Sequence, residues 1–389
     1  MEIEKDMEIK KDMDEKKDMD EKKDMDEKKD MDEKKDMDEK KYIDGKKDMD
    51  GKKYIDRKKY IGHDSQILGV EELRLTGGRG DGMRLFQVKN GRGLEFTISA
   101  DRCGDIARLS FRGDNLGYFS PAGYVAPSYY DDKEDGFLKS FTAGFLTTCG
   151  LTAVGSPCVD QGVKLPLHGS ISNCPAERVS YDITEEAIVW KAVMNQAGIF
   201  ADKLMFHRVI SCSLSENRIT IRDTVENTGS EKSPLMMLYH MNMGYPLLSE
   251  NARLYLPSDQ VVPRNEHAAK GMNSWNQLQM PEAGFVEQCY YHTFGEAGMA
   301  AIYNPDIKKG LVIRFDPKVL PCFTQWKMMG VKDYVLGLEP GNCYPDGRDV
   351  MRKEGKLKFI EPDEKITYQV EIEILENESG WEKTGGILC

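Results

Sequence analysis

Tyr368-Gln369-Val370-Glu371-Ile372-Glu373-Ile374 alternates apolar and polar side chains without a break. Successive side chains of a β-strand point to opposite faces, so this stretch predicts a strand with one face buried and one in water. Arg218-Ile219-Thr220-Ile221-Arg222-Asp223-Thr224-Val225 repeats the pattern, and Asn227-Thr228-Gly229-Ser230 then supplies turn-forming residues. Residues 205–214 are the expected antiparallel partner across Ser215-Glu216-Asn217. Further strands are predicted at 84–88, 94–99, 106–111, 187–192, 300–303, 310–315 and 334–338. No helical apolar period exceeds a couple of turns, and Gly and Pro punctuate the chain at short intervals. Many strands joined by turns predict an all-β sandwich or barrel.

The usual nucleotide-binding and hydrolase signatures are missing. There is no G-x-G-x-x-G between a strand and a helix, no G-x-x-x-x-G-K-[ST] and no G-x-S-x-G. Gly77-Gly78-Arg79-Gly80-Asp81-Gly82 lacks a following Lys and helix and reads as a loop.

Ahead of this body the chain has another character. Lys-Lys pairs recur every six residues from 10–11 to 58–59, on the unit Lys-Lys-Asp-Met-Asp-Glu. A period of six matches neither 3.5 nor 3.6, so the Met residues form no helical stripe, and a disordered segment or a solvated, fraying helix is expected. The last units drift through Lys-Lys-Tyr42-Ile43 and Lys-Lys-Tyr54-Ile55 to Lys-Lys-Tyr60-Ile61-Gly62, as if the repeat had grown by duplicating the domain's leading hexamer. The organisation read from this is a charged repeat over 1–59, one β domain over 60–376 and a tail over 377–389.

Of the net charge of −12, residues 1–62 hold 23 acidic and 20 basic side chains, so nine of the negative charges belong to the rest. An acidic body argues against a nucleic-acid partner. The nine cysteines show no C-x-x-C pair or regular spacing and read as reduced, buried thiols. With no apolar stretch fit for a signal peptide or a membrane span, no membrane partner and a cytoplasmic location are expected. Asn377-Glu378-Ser379 and Arg79-Gly80-Asp81 are short motifs of the kind that occur by chance.

Candidate chemistry is confined to few residues. Of six histidines, His168 in Pro166-Leu167-His168-Gly169 and His240 in Tyr239-His240-Met241-Asn242 sit in apolar contexts beside small residues, which suits a pocket wall. Taken singly, each is more readily accounted for as a hydrogen-bonded core histidine than as a catalyst. His207 reads as structural, and His63, His267 and His292 carry no signal. Glu339 closes the apolar run Val335-Leu336-Gly337-Leu338 just before Pro340-Gly341, either capping a turn or serving as a base at a cleft. Gln325-Trp326 pairs an amide with an aromatic ring, a combination suited to bonding sugar hydroxyls and stacking on a sugar face. Core packing explains Trp326 as readily.

Leu167-His168-Gly169, then His240, then Leu338-Glu339 before Asn342, Pro345 and Asp346 follow the order of the galactose mutarotase motifs. Over residues 60–375 the chain resembles the aldose 1-epimerase-like subfamily of that family. The similarity includes Asp101-Arg102-Cys103-Gly104-Asp105, Leu146-Thr147-Thr148-Cys149-Gly150 and Leu167-His168-Gly169-Ser170-Ile171-Ser172-Asn173. The resemblance implies a large antiparallel β-supersandwich and a mutarotase, an isomerase that interconverts the α and β anomers of a small-molecule sugar.

It further implies Glu339 as general base toward the anomeric hydroxyl and His240 as general acid toward the ring oxygen. His168 would hold the sugar, with Arg102, Asn242, Gln325 and Trp326 as further sugar contacts. Two protons and no electrons move, so neither a cofactor nor a metal is expected. The chain departs from the family pattern in the aspartate that binds sugar hydroxyls, for which Asp259 and Asp316 are candidates without a matching motif. Two other readings stay open: an isomerase acting at another carbon with a metal on His168, His240 and Glu339, and a sugar-binding module without catalysis.

Overall fold

A computed structural model describes residues 59–385; the repeat as far as 58, and Cys389, lie outside the described residues. The compact unit begins at Asp64. Three larger sheets, all antiparallel, build it. The widest takes its strands in the order Arg178–Ile183, Ala187–Ala197, Lys203–Ser213, Arg218–Asn227, Lys365–Leu375, Lys309–Phe315, Gly298–Asn304 and Arg253–Tyr255. The stretch that predicted a strand therefore sits at its centre, with Ile221 opposite Val370 and Ile219 opposite Ile372. Along these strands burial alternates residue by residue, as the sequence pattern requires.

A five-stranded sheet covers residues 68–115. The third sheet carries the site, and five strands matter there: β1 (Leu146–Leu151), β2 (Ser233–Met243), β3 (Gln288–Thr293), β4 (Cys322–Met329) and β5 (Tyr334–Gly341). In space β3, β4, β5 and β2 are successive neighbours, and β1 pairs with β2. Side chains from all three sheets, among them Phe96, Ile106, Ile221, Val370, Tyr239 and Leu338, form one continuous core. Each fully buried aliphatic side chain stabilises the fold by about 1.5–3 kcal/mol. This is the large antiparallel β-supersandwich that the sequence led us to expect.

One polar cluster runs through the core. The guanidinium of Arg208 donates to Asp223, Asp105 and Thr148, and the Tyr239 hydroxyl donates to Asp223. Arg208 and Asp223 are wholly buried, so every charge must find its partners inside the protein. Tyr239 lies on β2, on the face opposite His240, and Thr148 lies on β1 directly across from Tyr239. The cluster therefore ties together the two strands that meet under the site.

Two further regions differ from plain reading. Residues 378–383, inside the stretch read as a tail, form a helix capped by the Asn377 side chain, and Trp381 is buried against Tyr303. His292, which gave no signal, lies fully buried on β3. Its ring bonds Ser258 on one side and Gln325 on the other. All eight cysteines among the described residues are free, and no helix among these residues is long and apolar enough to cross a membrane.

Candidate active site

Strand parity builds the site. On β2, Tyr239 and Met241 enter the core, so His240 and Asn242 take the other face. On β5, Leu336 and Leu338 enter the core and leave Gly337 and Glu339 outward. Thr324 stands opposite Glu339 and Trp326 opposite Gly337 across the β4–β5 ladder. On the other side of β5, the ladder to β2 runs Leu238 to Gly341 and then resumes at Met241 to Leu338. The interruption falls at Pro340, which has no N–H to donate. β5 thus continues through Pro340 to Gly341, and Glu339 lies within the strand instead of ending it at a turn.

His240 and Glu339 meet at that interruption, with His240 Nε2 3.3 Å from Glu339 Oε1. Across the three strands the residues read His240, Glu339, Thr324 in one row. Gly337 makes the geometry possible, because a Cβ there would lie 2.2 Å from Glu339 Oε1.

A cavity of about 320 Å³ opens over this row, and its lining includes His168, His240, Thr324, Trp326 and Glu339. His168 sits in a left-handed backbone conformation (φ 59°) in the loop after Leu167. Its Nδ1 accepts the Gly155 N–H, and its ring lies 5.5 Å from that of His240. Phe141 and Trp326 each present an edge-to-face ring to His240 at 5.3 Å. The rings leave His240 5% exposed, and the low local dielectric of such an apolar surround strengthens electrostatic contacts made within it.

Burial acts on the titratable groups accordingly. It pushes His240 down to about 4, and it pushes Glu339 well above the usual carboxylate range, with the charge of Glu287 adding to the effect. Burial, then the neighbouring His240 and Arg264, hold His168 well below its ordinary value. Both members of the His240–Glu339 pair are driven toward their neutral forms by the same burial. Three buried polar atoms on the row, His240 Nδ1, Glu339 Oε1 and Thr324 Oγ1, have no hydrogen-bond partner among the described residues. The 3.3 Å approach of His240 is not aligned as a hydrogen bond. Orphaned atoms are costly inside a protein and are what a bound polar ligand would satisfy. Chemically, the row can take one proton and give another.

Of the residues read from sequence, His168, His240, Trp326 and Glu339 come together here. Arg102 does not: its guanidinium is consumed by the carbonyls of Ser172, Val125 and Ser140. Asn242 shares the face of His240, but its amide is turned to the carbonyls of His240 and Ala143. Gln325 points into the interior, where it bonds Trp275 and His292. Asp316 caps a turn at Lys318, and neither it nor Asp259 lines the cavity.

Glu287, Arg264 and Thr324 also line the cavity and were not among the site residues read from the sequence. Glu287 accepts the Trp326 indole N–H at 2.6 Å and so fixes the ring. Arg264 donates to Asp346, Ser156 and the Pro345 carbonyl. Among the described residues no group of three His, Cys, Asp or Glu side chains is disposed to hold a metal ion.

Residues 80–374 match the family described as "Domain of unknown function (DUF4432)". No curated protein matches the chain. Among solved structures, it is similar to a Klebsiella pneumoniae protein provisionally named an aldose 1-epimerase, at 25% identity and a TM-score of 0.76, over 81% of this chain and 85% of that one. A galactose mutarotase-like protein from Clostridium acetobutylicum is 14% identical with a TM-score of 0.58, over 79% and 99%. A galactose 1-epimerase from Lactobacillus acidophilus is 11% identical with a TM-score of 0.55, over 80% and 99%. The fold is the galactose mutarotase-like one.

Proposed function

Starting from the premise that the chain belongs to the family described as Domain of unknown function (DUF4432), we propose that it is an isomerase of the aldose 1-epimerase type. The observation that carries this reading is the buried His240–Glu339 pair, 3.3 Å apart, with atoms left unpartnered among the described residues, in the lining of a cavity of about 320 Å³. In the charged form of the pair, Glu339 takes the proton of the anomeric hydroxyl and His240 gives its proton to the ring oxygen. The bond from C1 to the ring oxygen breaks, leaving the open-chain aldehyde and a neutral pair. Rotation about the bond between C1 and C2 exposes the other carbonyl face. Reclosure then returns both protons to where they began. Burial favours the neutral pair, which is the state reached on ring opening, and the hydroxyls of the entering sugar supply the hydrogen bonds that support the charged one.

His168 holds the sugar beside His240, and Trp326, fixed by Glu287, walls the pocket. Glu287 is placed to accept sugar hydroxyls in the part taken by an aspartate in the family pattern. The sugar is uncharged in this reading. Among the described residues Arg264 is the single Arg or Lys lining the cavity, and it is already engaged by Asp346. A phosphate would meet Glu287 and Asp135 without a free cation.

The test is exchange between α and β anomers, followed by NMR for a panel of aldoses. Acceleration that falls about 10²-fold or more in Glu339→Gln and in His240→Asn supports the reading. No acceleration for any sugar, with binding that survives Glu339→Gln, would reduce the protein to a sugar-binding module.

A further inference from the structure

The row across the sheet has a third member to which neither proton transfer assigns a part. Thr324 is 1% exposed, lines the cavity, and its Oγ1 has no hydrogen-bond partner among the described residues. Other buried hydroxyls in this protein do not go unpaired so readily. Thr147 donates to the Ala143 carbonyl, Thr148 to Asp105, Ser140 to the Phe137 carbonyl and Thr142 to the Gly123 carbonyl. Among the described residues Ser99 Oγ is the other buried hydroxyl without a partner, and it does not line this cavity. A buried hydroxyl left alone costs about 1–3 kcal/mol, and its position on the pocket side of β4 means that a ligand group can remove that cost.

The order of the row identifies the ligand group. β2, β5 and β4 are neighbours, so His240, Glu339 and Thr324 follow one another across the sheet, with Thr324 directly opposite Glu339. Directly opposed side chains on adjacent antiparallel strands have Cβ atoms about 4.5–5.5 Å apart. An aldose ring presents its polar atoms in a fixed order along the reacting edge: ring oxygen, anomeric hydroxyl, then the hydroxyl on C2. With the ring oxygen at His240 and the anomeric hydroxyl at Glu339, the next polar atom of the sugar falls at Thr324.

We propose that Thr324 binds the C2 hydroxyl of the substrate and selects aldoses that carry it. This rests on the proton-transfer parts given above to Glu339 and His240. Thr324 is suited to the task because a hydroxyl both donates and accepts and holds no charge. It therefore completes the hydrogen bonds of the C2 hydroxyl without competing for the proton that Glu339 handles. A site built to bond a hydroxyl rejects the analogue that lacks it, because its own polar group is then left buried and unpaired.

The experiment compares glucose and galactose with 2-deoxyglucose and 2-deoxygalactose on the full chain, for the wild type, Thr324→Val and Thr324→Ser. Each pairing is measured twice, as anomer exchange and as binding by saturation-transfer NMR. The wild type should prefer the C2-hydroxylated sugar about tenfold or more, Thr324→Ser should keep most of that preference, and Thr324→Val should bring the ratio near one. Thermal melts of both variants show that the fold is intact.

A ratio in Thr324→Val equal to that of the wild type overturns the proposal, as does a wild type that binds both sugars of a pair alike. If no sugar is isomerised but the binding ratio collapses in Thr324→Val, the assignment of Thr324 stands and the epimerase reading falls. If exchange is accelerated with no preference for the C2 hydroxyl, the reverse holds. No binding of any of the four sugars overturns both.

Discussion

Gly337 is the residue whose replacement separates the site from the fold most cleanly. Its backbone is outside the left-handed region, so alanine meets no backbone strain there. What an added Cβ does meet is the Glu339 carboxylate, at 2.2 Å from Oε1 and 3.2 Å from Cδ, and the Trp326 Cβ at 3.0 Å. Ordinary contact begins at 3.4 Å, so the carboxylate must retreat by about 1.2 Å, or rotate away from His240. A misplacement of about 1 Å in a reacting group costs about 10²-fold in rate, whereas crowding one methyl into a packed interior costs about 1–3 kcal/mol of stability. Gly337→Ala is therefore expected to lose about 10²-fold in anomer exchange while still unfolding cooperatively. Exchange rates from NMR alongside urea denaturation decide the matter. Activity within about threefold of wild type would refute the idea that the glycine exists to seat the carboxylate, and a variant that cannot fold would refute the claim that the strain is local.

Three other outcomes follow from the same interior. Depression of His240 from 6.5 to about 4, at about 1.4 kcal/mol per pH unit, corresponds to about 3 kcal/mol. A buried histidine held neutral contributes that stability above pH 6.5 and loses it as pH falls through 4, so His240→Asn should lose about 3 kcal/mol less than wild type between pH 7 and pH 4; parallel urea-derived stability curves would rule this out. Arg208→Ala leaves Asp105 and Asp223 buried without their shared cation and should destabilise by about 3–5 kcal/mol, a figure that a midpoint shift worth less than about 1 kcal/mol would contradict. Trp381→Ala removes the ring stacked on Tyr303 and should destabilise by about 3–5 kcal/mol; an unchanged melting temperature would show that the last helix is not part of the cooperative unit.

How far the fold could be read depended on which faces of each strand are covered. Strands with one wet face, such as Arg218–Asn227 and Lys365–Leu375, declare themselves by alternation. The strands that hold the site do not. β1 and β5 are buried at every position, and β2 at all but one, because the main core covers one face while a second apolar cluster, which includes Cys149, Met236 and Leu238, covers much of the other. Where both faces are apolar the period of two disappears, and a short apolar run cannot be told from any other buried segment. β1 and β2 accordingly gave no strand signal, although β2 carries His240, whereas β5 was read at 334–338 from the apolar run that precedes Pro340-Gly341.

The site shows the same limit and one place where the sequence held more than its residue types suggested. His240 and Glu339 are 99 positions apart, and only the pairing of β2 with β5 makes them neighbours; no local pattern contains that. Glu287 and Arg264 enter from beyond the ends of strands, where nothing in the sequence distinguishes them from ordinary loop charges. Gln325 is a different matter. Its amide and the adjacent indole of Trp326 were grouped as sugar contacts on their chemistry, yet consecutive residues of a strand point to opposite faces. Only one of the two can line a pocket. Once Trp326 is placed there, Gln325 must face the interior, where it bonds His292, and Thr324 must share the pocket with the indole. Residue type names the groups able to bind a sugar; strand parity decides which of them reach it, and here it exchanges an amide for a hydroxyl next to the carboxylate.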